Sequence, residues 1–118
     1  MDLRATILIN QDGVIQGWNE GAEMLFGYAR AEALGKTLDL IIPVQYRKRH
    51  WAAFPAALKR GKTTYEPMAA QIPLRCKDGS IRYFPARLTI VLDADNRAVG
   101  AVGVFSAEDN NSSLPLLQ

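Results

Sequence analysis

The sequence predicts an α+β domain built on an antiparallel sheet, and three observations predict it. Two short β-branched runs meet near the start across Asp12-Gly13, a dipeptide that favours a tight hairpin turn. A middle section then carries helical spacing, with stop signals at Gly27, Gly35 and Gly61. Three further strand-like runs follow, joined by Lys77-Asp78-Gly79-Ser80 and Asp93-Ala94-Asp95-Asn96. Strands on either side of a helical block, with short turns between sequential strands, give a mixed domain whose neighbouring strands run antiparallel.

Each element has a local reason. Ala5 to Asn10 and Val14 to Trp18 read as the first strand pair. Asn19 then caps a helix, because its side chain can accept from amides left orphaned in the first turn. Ala22, Met24, Leu25 and Phe26 follow before Gly27. Arg30 to Leu34 is one further helical turn, and Leu38 to Ile42 a short apolar piece closed by Pro43. Gln45 to Arg60 is the long helix: Trp51, Phe54, Ala57 and Leu58 fall at helical spacing. Pro55 removes one amide donor, so a bend is expected near Ala52 to Pro55. Met68 to Cys76, Ile81 to Leu92 and Ala98 to Phe105 form a meander with alternating apolar positions.

Bulk properties narrow the function classes. A length of 118 residues suits one domain, expected over residues 1–107, with 108–118 as a linker or tail. The composition, 48% apolar and 22% charged, is that of a folded globular chain. A net charge of +2 is too weak to imply nucleic-acid binding. The cations that do cluster, Arg47-Lys48-Arg49 and Lys59-Arg60 with Lys62, read as a solvated helix face. No apolar run approaches membrane-spanning length, and Met1-Asp2-Leu3-Arg4 has no signal-peptide character. With Cys76 alone there is no internal disulfide and no cysteine cluster. A cytoplasmic location is expected, with no direct nucleic-acid or membrane contact. No Gly-rich phosphate loop, nucleophile elbow or paired metal-ligand motif is present, so catalysis is not expected. Asp78, Asp93 and Asp95 sit in turns, where the backbone already favours them.

Taken in order, several segments resemble the PAS, or sensory-box, family. They are Ile9-Asn10-Gln11-Asp12-Gly13-Val14-Ile15, Trp18 through Tyr28, Glu32 through Lys36, Ile42-Pro43 with Arg47 and His50, Lys77-Asp78-Gly79-Ser80, and Gly100 to Phe105. The resemblance covers residues 3 to 107. It implies a five-stranded antiparallel sheet with short helices and one longer helix on one face, around a small interior cavity. It also implies a sensory module of a bacterial regulator, active in transcription control or two-component signalling. Such modules commonly form homodimers and precede a DNA-binding or kinase output domain.

The expected cavity lining follows from the resemblance together with apolar alternation. One strand offers Met68, Ala70, Ile72 and Leu74; the next offers Phe84, Ala86, Leu88 and Ile90. Trp51, Phe54 and Leu58 would close it from the long helix, with Met24, Leu38 and Ile42 from the shorter pieces. Plain core packing would turn the same residues inward. Ala70 and Ala86 are singled out because small residues on facing strands leave room for a ligand. Two alternatives stand beside ligand sensing: a ligand-free dimerisation module, and a heme-based gas or redox sensor.

His50 is the one histidine, and imidazole is a common iron ligand. In heme-binding relatives the axial histidine lies further along, where this chain has Lys62-Thr63-Thr64-Tyr65. A structural or surface role is therefore expected for His50, the alternative being a heme ligand with Cys76 or Met68. The family's photochemical flavin adduct is excluded, because Thr37-Leu38-Asp39-Leu40 stands where that motif carries its cysteine. Cys76 is expected to have no special role. The resemblance further implies a structural ion pair between Glu23 and Lys77. The family often ends its last strand with Asp-Ile-Thr; here Ser106-Ala107-Glu108-Asp109 replaces it, a departure that bears on output coupling and not on the fold.

Overall fold

The computed structural model describes residues 4–61 and 70–107. Strands β1 (Ala5–Asn10) and β2 (Ile15–Trp18) form the opening hairpin. Helices α1 (Glu20–Phe26) and α2 (Arg30–Ala33), a 3₁₀ turn at Leu38–Leu40 and the long helix α3 (Val44–Arg60) follow. Strands β3 (Ala70–Arg75), β4 (Ile81–Leu92) and β5 (Ala98–Phe105) complete one five-stranded antiparallel sheet, ordered β2-β1-β5-β4-β3. This is the expected α+β architecture. The expected start of β3 at Met68 lies outside the described residues. Helix α3 runs as one element through Pro55, which sits on its exposed side.

Cross-strand register sorts the sheet into two faces. Ala5, Phe105, Ala86 and Ala70 share one row; Ile7, Gly103 and Leu88 share the next; Ile9, Ala101 and Ile90 a third. These rows form the face that the helices cover. Because side chains alternate along a strand, Leu8, Val102 and Thr89 fall on the opposite face.

Two joints fix the helices to the sheet. Asn19 Oδ1 accepts from Ala22 N at 3.0 Å, as a cap does, and also from Thr6 N at 2.9 Å. Its Nδ2 donates to the Arg4 carbonyl at 3.0 Å. One side chain thus caps α1 and binds it to β1. A Cβ on Gly21 would lie 2.1 Å from the Arg4 oxygen, so this close approach needs glycine. At the other end, Gly13 turns the β1–β2 hairpin at φ +77, and a Cβ there would meet the Trp51 ring at 2.3 Å.

Two prolines sit in strands where they spare the ladder. Pro85 accepts from Ser106 N at 2.9 Å just past the end of β5, so its missing donor touches only the last rung. Arg75 N donates away from β4, to the Ile41 carbonyl at 2.8 Å. Pro73, two residues earlier, has the same orientation, so its missing donor falls on the outer edge of β3.

Candidate functional site

The covered face of the sheet divides into two halves. Over the first lies Phe26 of α1, fully buried. Its ring meets Phe84 at 5.0 Å and Phe105 at 5.6 Å, both edge-on, and Trp18 at 5.7 Å, geometries that suit aromatic quadrupoles. Ala86 pairs across the sheet with Phe105 and lies two residues from Phe84, so its small side chain leaves room for this cluster. Trp18 Nε1 donates to the Tyr28 carbonyl at 3.0 Å, which satisfies the one polar atom of the group. Leu74 and Cys76 are buried in the same core. Cys76 Sγ is turned to the Leu25 carbonyl at 3.6 Å, and Lys77 N donates to the Phe26 carbonyl at 2.8 Å.

The second half lies toward α3. Phe54 and Ala57 are buried; Leu58 and, on the sheet, Leu88 and Ala101 are only partly buried although they sit on the covered side. Ile90 and Ile42 are buried and Leu38 is partly so. His50 lies one turn before Phe54, its ring parallel to Phe54 at 5.8 Å and edge-on to Trp51 at 4.7 Å. Burial holds its pKa below the usual histidine value, against a weaker upward pull from Asp39.

The structure corrects two expectations, for Met24 and for the ion pair of Lys77. Met24 is 63% exposed and lines nothing: Ala22 and Phe26 take the inner side of α1, and two residues on from Ala22 a helix has turned to its far side. Trp51, packed against the core from α3, also braces the opening hairpin. Its ring covers Gly13 and its Nε1 donates to Asp39 Oδ1 at 2.7 Å. Lys77 pairs with Glu32 at 2.7 Å and not with Glu23. Glu23 is already engaged, accepting from Arg30 N at the start of α2. Glu32 also accepts from Ala29 N at 2.8 Å, and these bonds hold its pKa below the ordinary carboxylate value.

Met68 lies outside the described residues, and for Ala70 only the strand position is described. The other expected lining residues lie along one continuous core: Leu74, Ile72, Phe84 and Ala86 beside the aromatic cluster, Leu88 and Ile90 further along β4, and Phe54 and Leu58 on α3. Sequence reasoning missed Asp39 and Glu32. Asp39 gathers α3 through Trp51 Nε1 and through its own carbonyl, which accepts from Arg47 Nη2 at 3.1 Å. Neither shows a sequence signal beyond an acidic residue in the first turn of a short helix.

Heme was the alternative cofactor. Among the described residues no three His, Cys, Asp or Glu side chains gather. Cys76 Sγ is turned to the Leu25 carbonyl beside α1, His50 stacks on Phe54 of α3, and Met68 lies outside the described residues.

Comparison with known proteins gives a consistent result. A family model described as the PAS fold matches residues 15–105. The oxygen sensor protein DosP of Escherichia coli is 33% identical over 79 residues, 67% of this chain and 10% of that protein. The sensor protein FixL of Bradyrhizobium diazoefficiens is 31% identical over 90 residues, 73% of this chain and 17% of that protein. The chain thus spans well under a fifth of these relatives. Among solved structures, the PAS domain of a protein from Colwellia psychrerythraea superposes with a TM-score of 0.75 at 23% identity, covering 89% of this chain and 86% of that one. The PAS domain of the histidine kinase ThkA does so at 0.58 and 24%, covering 90% and 99%. At these identities the structural likeness shows the fold. No described helix is long and apolar enough to cross a membrane.

Proposed function

Because the chain belongs to the PAS-fold family, we propose that it is a sensory domain binding a small molecule between α3 and the sheet, and passing the change to an output domain. The observation that carries this reading is the unequal packing of the two halves. Leu58 and Leu88 stay partly exposed on the covered face, while Phe26, Phe84 and Phe105 interlock fully buried beside α1. An apolar pocket with few polar groups is the usual form of a small-molecule site. The ligand acts only through its different affinity for two conformations of the domain. The domain needs no catalysis of its own. Longer signalling relatives support an output in phosphorelay or transcription control, and a lone cysteine suits the reducing cytoplasm. Residues 108–118 serve as the linker in this reading. Native mass spectrometry of freshly purified protein tests it. A retained small molecule, or a metabolite that raises Tm in a screen, is expected; a uniformly apo protein that no metabolite stabilises sinks it.

A second reading has its own observation. The uncovered sheet face presents exposed Leu8, Ile81 and Tyr83 beside Val102 and Val104. Apolar surface of this kind supports a homodimerisation module that needs no ligand. A clean apo dimer in the same native spectra favours it.

A further inference from the structure

One buried side-chain polar atom among the described residues has no partner: Nδ1 of His50. Buried polar groups nearly always find a hydrogen bond, and an enclosed one left unpaired is costly. The side chains around it explain why none is made internally. Phe54, stacked parallel to the imidazole, has no donor. Trp51, edge-on to it, has one, and that N–H is committed to Asp39 Oδ1 at 2.7 Å. Arg47, one turn earlier on α3, directs Nε to the Ile42 carbonyl and Nη2 to the Asp39 carbonyl, both at 3.1 Å.

The chemistry of the missing partner follows from the ring. Nε2 makes no hydrogen bond to a described residue and is not enclosed. A neutral imidazole carries one N–H, and the proton resides where water can serve it, on Nε2. Nδ1 is then a lone pair inside the protein, and it needs a donor. A trapped water would be poorly held, because an ordered buried water needs two or more polar partners and the neighbouring walls are aromatic.

Resting on the ligand-binding reading above, we propose that His50 Nδ1 is the recognition atom of the site under α3, accepting an N–H or O–H from a small, neutral, mostly apolar ligand. The ring of such a ligand packs beside Phe54, which stacks on the imidazole, and its single donor meets Nδ1. His50 thus selects among apolar molecules of one shape by whether they carry a donor.

Phenol and anisole form the test pair, since they share a ring and differ in whether the oxygen carries a proton. Binding of each to the whole chain is measured by ligand-observed NMR titration, with 15N spectra of the histidine side chain recorded alongside. Phenol is expected to bind about five to ten times more tightly than anisole, the worth of one hydrogen bond, and to shift the Nδ1 resonance. His50→Phe should keep anisole affinity and erase the preference, and His50→Gln, which retains an acceptor, should restore part of it. Equal affinity of the two probes, or an Nδ1 resonance unmoved by bound phenol, overturns the role of His50 and leaves the interior site standing. Failure of both probes to bind overturns the role of His50 and the interior site together. The 15N spectra of the unaltered protein decide the matter should His50→Phe fail to fold.

Discussion

The two halves of the covered sheet face are built from similar residues and packed to different standards. Under α1, four aromatic rings interlock, and the indole N–H that could have been stranded reaches a carbonyl. Under α3, aliphatic side chains are incompletely covered and an imidazole nitrogen is left without a bond. The first half meets the standard of a native interior, dense and polar-satisfied. The second departs from it in both respects at once. Such departures are expected where a structure keeps a site in reserve, which is why the proposed site is placed in the second half.

Paired substitutions break or sharpen the contrast. Phe26→Ala should cost about 3–5 kcal/mol in urea unfolding, whereas Phe54→Ala should cost about 1–2 kcal/mol less, because a loosely packed site loses less on truncation. Equal losses would erase the distinction between the halves. Ala86→Phe should destabilise by about 1–3 kcal/mol or more by overfilling the aromatic cluster, while Leu88→Phe should fall within about 1 kcal/mol of the parent. Gly13→Ala should lower stability by about 2 kcal/mol, since it imposes a left-handed backbone on alanine and drives a Cβ into the Trp51 ring.

A pH series adds a smaller effect. The folded-state pKa of His50 is lowered, so its contribution is complete above the unfolded value near 6.5 and is lost as pH falls through the folded value. Stability should decline below pH 6.5, and His50→Gln should flatten that slope; an unchanged slope would show that the ring is not held neutral by burial. Least of all, Lys77→Ala should cost less than about 1 kcal/mol, because Lys77 is 52% exposed and Glu32 43%. A loss of several kcal/mol would mean that the hairpin joint is far more enclosed than it is here.

Strand boundaries were legible because their signals are local. Ile81–Leu92 and Ala98–Phe105 end at turn residues that the sequence displays openly. Alternation also placed Ile72, Leu74, Phe84, Ala86, Leu88 and Ile90 on one face, as the register confirms. Alternation does not say which part of that face another ring will fill. Phe26 reaches Phe84 and Phe105 from a helix about 60 and 80 residues distant in sequence, and nothing at Ala86 announces its arrival. Met24 was misplaced for a related reason: a seven-residue helix is too short for its apolar spacing to define an inner side unambiguously. The pairing of Lys77 with Glu23 that the resemblance implies fails because the backbone amide of Arg30 engages Glu23, and Lys77 turns to Glu32.

The proline in the outermost strand carries a consequence for assembly. A flank whose amide is missing at Pro73 cannot zip against its twin into a continuous ribbon, since the run of donors is interrupted midway. That edge of the sheet thereby offers a neighbouring strand a broken ladder, which works against open-ended stacking of copies through it.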